Sequence, residues 1–141
     1  MNRPSSIPST ERLDRWAPHF ARLALGAAFL SAVASRFGLW QGRFDLGRFR
    51  AFIQYTGEVN AFLPAALHPA LAWAATAAEL SLGLALIAIP RPRWAAFGSA
   101  LLLALFGTAM AISQGLKSPL DYSVFSASAA ALLLGLHAPK I

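Results

Sequence analysis

One carboxylate stands alone in an apolar run. Glu79 lies inside Pro69–Ile89, PALAWAATAAELSLGLALIAI, where no other residue is charged. At roughly 1.5 Å per residue such a run crosses a bilayer core of about 30 Å. A charge held near the midplane costs about 2.5–3.5 kcal/mol on insertion scales. Glu79 therefore needs a cation, a proton or a ligand. The candidate partners lie in the outer parts of the other apolar runs: Arg36, Thr108, Asp121, Tyr122 and Ser126. A guanidinium could neutralise Glu79, and hydroxyl groups could donate hydrogen bonds to it. Together they predict a small polar pocket open on one side of the membrane, with Glu79, Arg36, Asp121, Tyr122 and Ser126 as ligand-binding candidates. The competing structural reading is an ion pair that only sets helix register. A proton pathway is weaker, because relays use several ionisable groups.

The elements that must position these residues follow from hydropathy. Apolar runs predict spans at about 20–40, 69–89, 94–114 and 120–137. Residues 1–18, with Pro4, Pro8 and Pro18 among charged residues, predict a polar cytoplasmic tail ahead of a 19–141 membrane domain. Trp16 and Trp40 flank the first run as an interfacial belt would. LALGAAFLSAVA also has the length of a signal-peptide core, but the long acid-containing region before it argues against cleavage. Pro90-Arg91-Pro92-Arg93 ends the second span, and GLKSPLD makes a turn before the fourth. Between the first two spans, Phe49, Phe52, Ile53, Val59 and Phe62 recur at mostly helical spacing beside Arg43, Arg48 and Arg50. That pattern predicts an amphipathic helix, lying on the membrane or packed on the bundle. The fold class is thus all-α, an integral membrane four-helix bundle with an amphipathic segment between the first and second spans.

Composition agrees. Of 141 residues, 57% are hydrophobic and 13% charged, half the share usual in soluble domains, about 25%. The net charge of +6 comes from arginines at the ends of apolar runs, not from a basic face with interleaved aromatics, so nucleic acid is excluded as a partner. The absence of cysteine removes thiol–disulfide exchange and iron–sulfur ligation from this chain. No metal-ligand spacing, phosphate loop or nucleophile elbow occurs. Seven Lys and Arg residues fall on one side of the predicted spans and five on the other, which predicts both termini in the cytoplasm. Small residues at intervals of four (Ala70, Ala74 and Ala78; Ser123, Ala127, Ala131 and Gly135) predict close helix packing. RLALGAAFL from Arg22 also echoes ELSLGLALI from Glu79.

RLALGAAFLSAVASRFG, AAELSLGLALIAIPRPRWAA and GLKSPLDYSVFSASAAALLL, in this order and spacing, resemble the DoxX family of small bacterial membrane proteins, over about residues 20–136. The resemblance implies a four-helix bundle of the inner membrane. It implies an accessory role in a membrane redox complex, quinone-linked or handling oxidative stress, with a quinone as the cofactor such a site could take. Arg36, Glu79 and Asp121 match the family's polar pattern. A non-catalytic subunit is the leading expectation, with a quinone-linked oxidoreductase as the enzymatic form. The lipid bilayer and redox-complex subunits are the expected partners. The alternatives are a structural scaffold without ligand and, less favoured, a small-solute transporter.

Overall fold

The computed structural model describes residues 8–137, and its elements are helical: α1 (Pro8–Arg36), α2 (Leu46–Val59), α3 (His68–Ala88), α4 (Arg93–Gln114), α5 (Lys117–Asp121) and α6 (Val124–His137). Short 3-10 turns at Leu39–Gln41 and Ala65–Leu67 lead into α2 and α3. Three stretches, Ser9–Arg36, Ala65–Ala88 and Arg93–Gln114, are long and apolar enough to cross a membrane. This is an all-helical membrane bundle, as the hydropathy predicts.

Two boundaries differ from the sequence reading. First, α1 starts at Pro8, so much of the segment expected as a tail is helical and continuous with the first span. Pro18 sits inside that helix; its ring lacks only one backbone donor, and the flanking turns continue. Residues 1–7 and Lys140 lie outside the described residues. Second, the run expected to span 120–137 is interrupted. Ser123 has a φ of 55°, which ends α5 and starts α6 at Val124. The predicted turn before it carries the short helix α5, closed by an i,i+4 pair between Lys117 and Asp121. The remaining 14 residues of α6 reach about 21 Å, short of a full crossing.

The helix ends follow local chemistry. Gly38 stops α1 in the left-handed region, where a Cβ would also lie 2.8 Å from Arg43 O. Asp45 then caps α2, its Oδ1 accepting from Gly47 N at 2.8 Å. Pro69 sits in the first turn of α3, where its missing N–H costs nothing.

Helices α1 and α3 pack antiparallel, as their contacts show. Arg22 reaches the end of α3, Gly26 meets Gly83, and Arg36 meets Thr76 and Glu79. Thus the two glycines of the echoed segments touch one another. A Cβ on Gly26 would stand 3.0 Å from Gly83 O and 2.6 Å from Ile87 Cγ1. Without a hydrophobic drive between helices in lipid, such close backbone approach is the main source of association. The second pair is α4 with α6, where Gly135 admits the Phe97 ring. Leu25, Phe29, Leu86, Ala96 and Leu134 join the pairs in one core. The small-residue stripe of α6 faces inward at Ala131 and Gly135. That of α3 does not: Ala70 and Ala74 are exposed, and the buried face runs Ala72, Thr76, Glu79, Gly83 and Leu86. A chain of alanines has no inherent inward side; the Gly83 contact and the paired Glu79 turn the helix.

Replacing Gly26 with Val should destabilise the chain by about 1–3 kcal/mol, the usual cost of overpacking. Ala27→Val, one position on and exposed, should leave thermal unfolding in detergent unchanged. Equal melting of the two variants would show that the α1–α3 contact is not tight.

Candidate functional site

The site is built where α1 ends. Arg36 is in the last turn of α1, where a cation suits the negative end of the helix dipole. Its side chain turns to α3 and is 9% exposed; that of Glu79 is 6% exposed. Nη1 donates to Thr76 Oγ1 at 3.0 Å, and Nη2 lies 2.7 Å from Glu79 Oε2. Thr76 in turn donates to Ala72 O at 2.8 Å. Thr76 and Glu79 are one helical turn apart, so both face the same guanidinium. Over its other face lies the Phe52 ring of α2, with Cζ 3.7 Å from the ring centroid. A desolvated cation–π contact of this kind contributes roughly 2 kcal/mol.

The pair is close and buried, and Oε2 is shielded from solvent with the guanidinium as its charge partner.

An aromatic stack holds α2 against this pair. Phe37 stacks on Phe44 and Phe49, with centroids 5.5 and 5.3 Å away; Phe49 meets Trp73 at 4.1 Å and Phe52 at 5.8 Å. Of the two expectations for the amphipathic segment, the packed helix is observed. It touches α1, α3 and α4 and buries Phe49, Thr56 and Val59. Gly57 belongs to its packing and does not interrupt it: a Cβ there would stand 2.7 Å from His68 Nδ1.

Arg36 and Glu79 line a cleft of about 330 Å³. Its walls are apolar, among them Leu25, Phe29, Leu103, Phe106 and Met110. Two phenols, Tyr55 of α2 and Tyr122, complete the lining. Of the five sequence candidates the structure brings three together, Glu79, Arg36 and Tyr122. Asp121 is not among them, since it is held by Lys117 on α5. Ser126 is exposed and points away, because the break at Ser123 sets the phase of α6. Thr108 donates to Ala104 O of its own helix at 2.7 Å. Thr76, Tyr55 and Phe52 complete the site. Thr76, at i−3 from Glu79, was recoverable from helical spacing, and so was Tyr55, at i+3 from Phe52. Which α2 face meets Glu79 was not. Among the described residues no three His, Asp or Glu side chains are grouped to hold a metal.

Burial raises the Tyr55 phenol above the usual tyrosine range, and the Tyr122 phenol and the Glu58 carboxylate push it further. Tyr55 is therefore a proton-bearing donor at neutral pH. Because the folded value is raised, this contribution to stability is present below about pH 10 and lost as pH rises through the folded value. The chain has two tyrosines, so Tyr122→Phe leaves Tyr55 as the only phenol in an ultraviolet titration. Its midpoint should lie above that of the unfolded chain; coincident midpoints would remove Tyr55 from the buried lining. The ion pair is tested by a double-mutant cycle. Arg36→Met or Glu79→Leu alone should cost about 3–5 kcal/mol, and the double variant much less than their sum. Additive losses would mean the two groups do not interact.

Comparison with curated proteins and with solved structures finds no match. A family model does match: that of methylamine utilisation protein MauE, over residues 14–121. The match takes in Arg36, Tyr55, Thr76 and Glu79 and stops before α6. The DoxX resemblance and this match agree on a small multi-span membrane protein, and the family matched is MauE. Three helices of spanning length, the core they form and a match over well over half its residues make this chain a membrane protein that belongs to the MauE family.

Proposed function

We propose that this MauE-family protein is a non-catalytic accessory subunit of a membrane redox complex, and that its cleft receives the polar end of a quinone-sized apolar ligand. The observation that carries the reading is convergence. Arg36, Glu79, Tyr55 and Tyr122 come from separate elements to one otherwise apolar cleft. Its volume is within the roughly 300–1,000 Å³ of small-molecule sites. The residues suit such a group. Tyr55 and Tyr122 can donate to a carbonyl oxygen, and the Glu79 carboxylate can accept from a hydroxyl. A quinone bound there would supply two-electron carrier chemistry; the chain's part is to orient its polar end and keep its ring out of water. The description of the matched family names methylamine utilisation. A DoxX-like place in the bacterial inner membrane, with both termini cytoplasmic and the cleft facing outward, completes the reading.

A scaffold without ligand is the second reading, favoured by one observation. Arg36 is already held by α2 and α3 together, so the pair could serve only to lock the bundle. A transporter is disfavoured, since the three helices of spanning length are unbroken, the break at Ser123 lying in the shorter fourth run.

Native mass spectrometry of the protein released from its own membranes in mild detergent separates the two. A quinone-mass adduct or a stoichiometric partner should be retained, and should diminish in Tyr55→Phe and Glu79→Gln. Tyr55→Phe removes one hydroxyl at the cleft and should leave the melting temperature close to wild type. A chain carrying phospholipid alone, unchanged by either variant, would leave the scaffold.

A further inference from the structure

The far end of the bundle carries a different cavity, lined with positive charge. Arg22 leaves α1 toward the end of α3, where Nη1 donates to Ile89 O at 2.9 Å and to Pro90 O at 2.6 Å. Its Nε is buried and has no hydrogen-bond partner. Arg15, one approximate double turn earlier, and Arg91, in the α3–α4 turn, line the same cavity of about 270 Å³. So do His19 and His137. None of the cavity's lining residues is acidic. Arg15, Arg22 and Arg91 make no ion pair among the described residues. Helix α4 begins beside them, at Pro92 and Arg93, and its dipole adds positive field.

The cavity continues into a second one. Pro18, Leu134 and His137 are shared with a groove of about 630 Å³ between α1 and α6. Ala17, Ala21, Ala130 and Leu133 make that groove apolar, and Asp14 is the acidic residue in its lining. At the same end Trp16 and Trp94 are 71% and 61% exposed. Exposed tryptophans at helix ends mark the level of lipid headgroups.

We propose that this end binds an anionic phospholipid, with the phosphodiester among Arg15, Arg22 and Arg91 and an acyl chain along the α1–α6 groove. The occupant follows from complementarity. Three guanidinium groups without an ion-pair partner among the described residues attract an anion, and guanidinium–phosphate pairing is geometrically favoured. The continuous apolar groove and the tryptophan level require that the anion carry a hydrocarbon tail. A basic pocket between helices is a recurrent form of lipid headgroup site. The bound lipid would fill the α1–α6 seam. It stands apart from the Glu79 cleft and does not depend on what that cleft takes.

The test uses the full-length chain in an uncharged detergent, with thermal unfolding followed as lipid is added. Phosphatidylglycerol should raise the melting temperature; phosphatidylcholine and inorganic phosphate should not. The Arg15→Gln/Arg91→Gln variant should melt like wild type without lipid. It should bind phosphatidylglycerol about thirtyfold more weakly, as two lost charges imply. Arg22 is left intact because it also holds the end of α3. Equal protection by phosphatidylcholine would reduce the site to a nonspecific acyl groove. Equal protection by inorganic phosphate would make it a site for a free anion. Undiminished phosphatidylglycerol binding in the double variant would place the lipid elsewhere. Each of these three results overturns the proposal.

Discussion

A guanidinium withdrawn from water organises this protein. Arg36 cannot be buried alone, because the desolvation of an ion amounts to several kcal/mol even after relaxation. Three side chains on two other helices meet it: Thr76 and Glu79 from α3, and Phe52 from α2. That one requirement sets the rotation of α3, the height of α1 against it and the docking of α2. It also explains why the segment between the first two spans packs on the bundle. The aromatic stack from Phe44 through Phe37 and Phe49 to Phe52 then fixes α2 in place.

The α1–α3 pair has a rough internal correspondence. Arg22 and Glu79 open the echoed segments, and each reaches across to the far end of the other helix. Arg22 donates to the carbonyls that end α3; Glu79 receives the arginine that ends α1. Between them Gly26 and Gly83 bring the backbones together. Polar contacts thus sit at both ends of an apolar crossing. This suits a membrane, where burial between helices gains little and close packing and polar pairing decide association.

The two ends of the bundle are chemically unlike. One gathers a buried ion pair and two phenols around an apolar cleft. The other gathers arginines without ion-pair partners beside a groove that continues along the apolar seam. Neither needs a cysteine or a clustered metal site. In the function proposed above, such a chain would hold carriers and lipids in position while a partner would perform the bond-making chemistry, and it is in this sense that accessory is meant.

Much was legible in the residues themselves. Apolar run length predicts four spans; three of these are helices long enough to cross a bilayer, and the fourth, 120–137, is broken at Ser123. The isolation of Glu79 marks a buried polar site, and Arg36 is its nearest available cation by depth. Other features were not legible. Asp121 looked equivalent to Tyr122, but an i,i+4 lysine on a five-residue helix claimed it. Ser126 was lost because a left-handed Ser123 resets the helical phase, and no composition rule signals that break. The alanine stripe of α3 pointed outward because alanine packs or faces lipid at nearly equal cost. Sequence by itself determined that three helices are long and apolar enough to cross a membrane and that Glu79 must be compensated within one of them, because transfer free energy depends on residue type and run length. Tertiary structure alone decided which face of each helix turns inward and which phenols reach the cleft, because rotation about a helix axis is set by contacts between residues distant in the chain.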